Sequence, residues 1–163
     1  MDSTPVTDVL IEQFARTWEV LREIVDTFPE SEWRKGDSSY LIPARIAYHI
    51  VFAADMYATP LSYEEYKPKR NFTLDWEAAT PEELPSQGDI KTFIAGTQQR
   101  VEGWLRDLGD NGLLAEEKHY AWTGSRVLSR AVYALRHNHH HLGELNSEPR
   151  RRGLLGPEGG KWA

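Results

Sequence analysis

The chain contains no cysteine. That removes any disulfide framework, any thiolate nucleophile of the protein's own and any cysteine-based zinc site, so metal ligation would fall to His, Asp and Glu. No apolar run reaches membrane-spanning length, and the opening "MDSTPVTDVL" lacks the basic and apolar regions of a signal peptide, so a soluble, cytoplasmic protein with no membrane partner is expected. Positive charge is also in short supply. A formal net charge of −6 argues against nucleic acid as a partner, because phosphate binding relies on Lys and Arg. The basic stretches "KPKR" (Lys67 to Arg70) and "RRR" (Arg150 to Arg152) are short, and read as solvated loop and helix-end charge.

What remains is helical periodicity. The length of 163 residues suits one domain, expected over residues 1–163. From Val6 to Phe28, the residues Leu10, Phe14, Thr17, Leu21 and Ile24 recur at three- and four-residue spacing, which predicts a first amphipathic helix. Ile42, Ile46, Ile50, Ala53 and Tyr57 predict a second, with Pro43 in its opening turn and an end near Thr59-Pro60. "TPEELP" reads as a single capped turn from Thr80 to Pro85. Asp89 can then cap a third helix carrying Ile90, Ile94, Thr97, Val101, Trp104 and Leu108. A fourth runs from about Ser125 to Glu148, with Leu128, Ala131, Leu135, Leu142 and Leu145 on one side and Pro149 as its stop. No strand alternation competes, so the class is an all-α four-helix bundle. The connections of roughly 30 and roughly 16 residues exceed what bundle hairpins need. Their aromatics, Trp76, Tyr120 and Trp122, either wall a pocket at one end of the bundle or pack on its surface.

The stretch "RHNHHHLGEL", Arg136 to Leu145, puts four of six histidines into five consecutive positions. It is no terminal tag, because apolar helix positions lead into it and out of it. On a helix, His137 and His141 are an i, i+4 pair with rings side by side, at the margin of the apolar stripe where a neighbouring helix packs. His140 points away from the core, and His139 falls on the opposite margin. His49 lies within the apolar stripe of the second helix. Alone it reads as a core histidine with hydrogen-bonded nitrogens; facing His137 and His141 it becomes the third nitrogen of a metal site that keeps positions open for water or substrate. Proton competition at ordinary imidazoles would weaken such a site below roughly pH 6. His119, on a loop, is expected at the surface.

At these residues the sequence resembles the DinB/YfiT-like superfamily of small four-helix bundles. "IAYHIVFAADMY" (Ile46 to Tyr57) is similar to the family's histidine-bearing second helix, "HNHHHLGEL" (His137 to Leu145) to its fourth, and "RRRGLLGP" to its short exit. The resemblance implies an up-down-down-up bundle, a divalent metal held by His49, His137 and His141, and a homodimer. Glu144 stands where members often carry Gln. An ionised Glu there could orient a ligand imidazole or act as an acid or base; a solvent-exposed carboxylate is the plainer alternative. Some members are thiol-dependent transferases or isomerases that use glutathione, mycothiol or bacillithiol. The expectation is therefore a metal-dependent enzyme acting on a small-molecule substrate, with zinc or nickel activating a thiol or water, and a non-catalytic metal-binding or stress-associated protein as the alternative. Any thiolate must come from a cosubstrate, and Arg45 and Arg136 are the candidates to receive its carboxylates.

Overall fold

The structure, a computed structural model, describes residues 4–155. Residues 1–3 and 156–163, which the expected domain includes, lie outside the described residues. Four long helices dominate: α1 (Pro5–Thr27), α3 (Pro43–Tyr57), α5 (Gln87–Leu113) and α6 (Val127–Arg151). Short α2 (Glu30–Trp33) and α4 (Tyr63–Tyr66) lie in the connections, with 3-10 turns at Ser39–Leu41, Lys67–Lys69 and Ala121–Thr123. No strand occurs among the described residues, so the protein is an all-α helical bundle.

The predicted stripes are the buried faces. Leu10, Phe14, Thr17, Leu21 and Ile24 of α1, Ile46, Ile50, Ala53 and Tyr57 of α3, Ile90, Ile94, Thr97, Val101 and Trp104 of α5, and Ala131, Leu142 and Leu145 of α6 are all buried. Both α1 and α3 pack against α5 and α6, and touch each other little. The start of α1 meets the end of α5 through Thr7 and Asp110, and its end meets the start of α5 through Val25 and Gln87. Tyr48 and Asp55 of α3 meet Phe93 and Arg100 of α5 in the same order along both helices, whereas Thr59 beyond α3 meets Arg130 near the start of α6.

Several helix ends differ from the sequence reading. Ser86, not Asp89, is the N-cap of α5: its hydroxyl accepts from the Asp89 N–H at 3.1 Å while the Asp89 carboxylate accepts from the Ser86 N–H at 3.1 Å. Pro149 does not end α6, which continues to Arg151 with the proline ring buried. In a last turn a proline removes few hydrogen bonds, and Glu148 ties Arg151 and Arg152 back onto the helix at 2.8 and 3.0 Å. Near its C-terminus α5 breaks at Gly109, whose φ of 55° is left-handed and readily accessible to glycine. The break matters to α1, which has no side-chain cap of its own. Asp110 accepts from the Val6 N–H at 3.2 Å and the Thr7 N–H at 2.9 Å, satisfying orphan donors at the start of that helix.

The connection between α3 and α5 is anchored by buried charge. Asp55 accepts from Tyr66 at 2.7 Å, from Asn71 at 3.2 Å and from Arg100. Arg45 is 4% exposed and gives its guanidinium to main-chain carbonyls: Ser39 at 2.7 Å, Ala79 at 2.6 Å, Glu77 at 3.2 Å and Trp76. Arg45 is thus a strap for the connection and is not free to receive a carboxylate from a ligand. Of the loop aromatics, Trp76 lies over α3, Tyr120 is fully buried with its hydroxyl on the Met56 carbonyl at 3.0 Å, and Trp122 is 60% exposed.

Candidate metal centre

His49 comes from the middle of α3, and His137 and His141 from successive turns of α6. The periodicity of each helix makes this meeting inevitable once the two pack. His49 follows the buried Ile46 by three residues, and His137 and His141 flank the buried Asn138 and Leu142. Each imidazole offers a nitrogen within 4.8 Å of those of the other two, close enough together to hold a metal ion. Nε2 of His49 and Nε2 of His137 are 3.2 Å apart. Two nitrogens bound tetrahedrally at about 2.0–2.1 Å from one ion would sit about 3.3 Å apart, so the spacing fits a shared ligand as well as a hydrogen bond.

The third imidazole is held differently. Nδ1 of His141 meets the half-buried carboxylate of Glu144 at 2.7 Å, which leaves Nε2 as its free nitrogen. Among the described residues Nδ1 of His49 is buried without a hydrogen-bond partner, so that ring is fixed by packing, while His137 sits against the Asn138 side chain. The indole of Trp76 lies 4.1 Å from the His49 ring at 40°, and Tyr133 stacks on His137 at 6.3 Å and 23°. Burial, reinforced by the neighbouring imidazoles, pushes His49 down to about 3 and His137 down to about 4. These two rings therefore stay neutral, with a lone pair to offer, well below the pH of 6 at which ordinary histidines would begin to lose a metal.

The remaining histidines separate as the helix phase requires. His139 turns to α1, where Thr17 donates its hydroxyl proton to the Gln13 carbonyl at 3.0 Å and so accepts from His139 Nε2 at 3.1 Å. His140 is exposed, 3.4 Å from the far oxygen of Glu144. His119 is exposed on its loop. His140, His141 and Glu144 form a second group of close donors, but it borrows His141, and its His140 is exposed.

Of the two readings open for Trp76, pocket wall or surface packing, the ring lies against His49 as a wall, a neighbour the sequence did not specify; Tyr133 as a ring against His137 was missed. The tyrosine had a signal, since it precedes His137 by four residues on the same helix. The tryptophan's contact with His49 had none, because the ring arrives from a long connection. Asn138 was missed too: it is fully buried next to His137, whose ring its side chain engages.

Comparison with curated proteins and with solved structures returns no match. A family model does match, over residues 13–145, a span that begins in α1 and closes on the turn of α6 after His141 and Glu144. All of α3 and α5, most of α1 and α6, the histidine at the centre of α3 and the i, i+4 pair on α6 fall within that match, and the chain belongs to the DinB superfamily.

Proposed function

We propose that the protein is a divalent-metal-dependent enzyme acting on a small-molecule substrate, with His49, His137 and His141 as the metal ligands and zinc or nickel as the ion. The observation that carries this reading is the convergence of three imidazoles from two helices, one of them backed by a carboxylate. The ion would lower the pKa of a thiol or water so that an anionic nucleophile exists near neutral pH. The protein's own residues do the rest. Glu144 accepts the Nδ1 proton of His141, selects its tautomer and fixes its ring, a positioning role. Low dielectric keeps His49 and His137 uncharged. Trp76 excludes water from the His49 side, and Arg45 holds the backbone that carries Trp76.

A thiol-dependent transferase or isomerase is the favoured chemistry, with a low-molecular-weight thiol as cosubstrate, since the chain supplies no thiol itself. The helix pairings described above support an up-down-down-up bundle formed by residues 1–163 as one domain. A cytoplasmic homodimer that binds neither nucleic acid nor membrane completes the proposal: the acidic balance disfavours nucleic acid, among the described residues no helix is long and apolar enough to cross a bilayer, and the homodimer rests on the family resemblance alone.

Elemental analysis of untagged protein purified without chelator tests the centre, with about one divalent ion per chain as the expected result. Cobalt substitution then tests the chemistry. Addition of glutathione, mycothiol or bacillithiol should produce a sulfur-to-cobalt charge-transfer band. Bound metal without a thiol signal or turnover favours a non-catalytic metal-binding protein, and no metal at all overturns the site.

A further inference from the structure

The histidine cluster has two approaches, and they differ in size and charge. Toward the connection, the space bounded by Tyr40, Arg45, His49, Trp76 and His141 has no room for a water molecule. Along the outer face of α6 run two open grooves of about 270 and 290 Å3 that share Tyr133 and Arg136; the first ends on His137 and His140, and the second extends to Thr123 and Val132. Neither groove is lined by a carboxylate. The Arg136 guanidinium lies 5.2 Å over the Tyr133 ring, and among the described residues no carboxylate pairs with it. Arg45 adds a second positive charge beside His49 and His141. In a chain of net charge −6, the surroundings of the cluster are locally cationic, with Glu144 as the carboxylate bonded to it.

We propose that the α6 groove is the approach to His137 and that it binds a small anionic molecule, whose acidic group Arg136 receives while its other end reaches the histidines. This rests on the reading of the cluster as a metal centre. The geometry supplies three elements. The Tyr133 ring presets the guanidinium plane and shortens its search for an oxyanion. His137, the imidazole at the inner end of the groove, carries its ring against the same tyrosine, so ligand position and ring position are coupled through one side chain. Trp76 closes the competing approach.

The test uses cobalt-loaded protein titrated with 3-mercaptopropionate and with 2-mercaptoethanol, which share a thiol and differ in carrying a carboxylate or a neutral hydroxyl. The charge-transfer band reports binding. The carboxylate probe should bind about fivefold more tightly, the order of one partly exposed ion pair. Arg136→Gln should bring the two probes to parity, Arg136→Lys should restore part of the difference, and cobalt affinity should be the same in all three proteins. Equal binding of the probes to the unaltered protein, or a preference that survives Arg136→Gln, overturns the proposal. Failure to bind cobalt would sink the metal centre instead. The groove is then decided on metal-free protein by NMR: glutarate should shift Tyr133, His137 and His140 resonances where neutral glutaramide does not, and Arg136→Gln should abolish the difference. No glutarate-specific shift overturns it.

Discussion

The histidine face of α6 and the connection from Ala58 to Ser86 both touch the candidate centre, yet they are built on opposite principles. On α6, function follows from spacing: His141 lies four positions after His137 and Glu144 three positions after His141, and helix geometry turns these intervals into contacts. In the connection nothing is periodic. Trp76 reaches His49 because Arg45 and Asp55, both buried on α3, hold the loop by its backbone and by Tyr66 and Asn71. A helix carries its placement in its phase, whereas a loop borrows placement from a distant anchor.

The largest expected effects come from breaking the helix-borne histidines of that comparison, His49 on α3 with His137 and His141 on α6. His49→Ala, His137→Ala and His141→Ala should each weaken metal binding by at least a hundredfold, measured by competition with a chromophoric chelator, while His140→Ala should leave it within about twofold. His139→Ala should keep the ion and lower thermal stability slightly through its lost contact with Thr17. If His139→Ala strips the ion and His137→Ala retains it, the assignment fails. Breaking the anchor of the connection comes next. Arg45→Met leaves buried carbonyls without a donor and should cost about 3 kcal/mol in chemical denaturation, whereas Arg136→Gln on the surface should cost under about 0.5 kcal/mol. Similar losses for both would refute the distinction between strap and surface charge.

Glu144→Ala sharpens the contrast between the imidazole held by a carboxylate and those held by packing. Metal affinity should fall about 10–100-fold, with Glu144→Gln intermediate because an amide oxygen still accepts from Nδ1. The remaining effect is in acid. Unfolded histidines take up protons near pH 6.5, but His49 does so at about 3 and His137 at about 4 in the folded chain, so the unfolded state binds more protons between those values. Stability of metal-free protein should be greatest above about pH 6.5 and decline toward pH 4 in urea titrations. The double variant of His49 and His137 to Asn should flatten that decline.

The legible part of the molecule was the part governed by period. Burial of Leu21, Ile50, Ile94 and Leu145, and the separate destinations of His137, His139, His140 and His141, follow from counting along a helix. Arg45 was misread because three of its four carbonyl partners lie more than thirty residues away, and carbonyls leave no trace in sequence. At the start of α5, Ser86 and Asp89 both had capping chemistry, and the structure uses them together as a box one turn earlier than expected. Pro149 misled for another reason: a prohibition that holds in a helix interior relaxes in a final turn buried against its neighbours.

The Asp110 carboxylate at the start of α1 reaches across 104 and 103 positions of chain to Val6 and Thr7. A helix terminus capped from its own sequence frays locally, and its first amides exchange with solvent independently of the rest. Here the protection of those amides is a property of the far end of α5, so hydrogen exchange at Thr7 should track the opening of the Gly109 break and slow to the rate of that larger unit. Closing so long a loop also places the capped start of α1 late in the order of folding events.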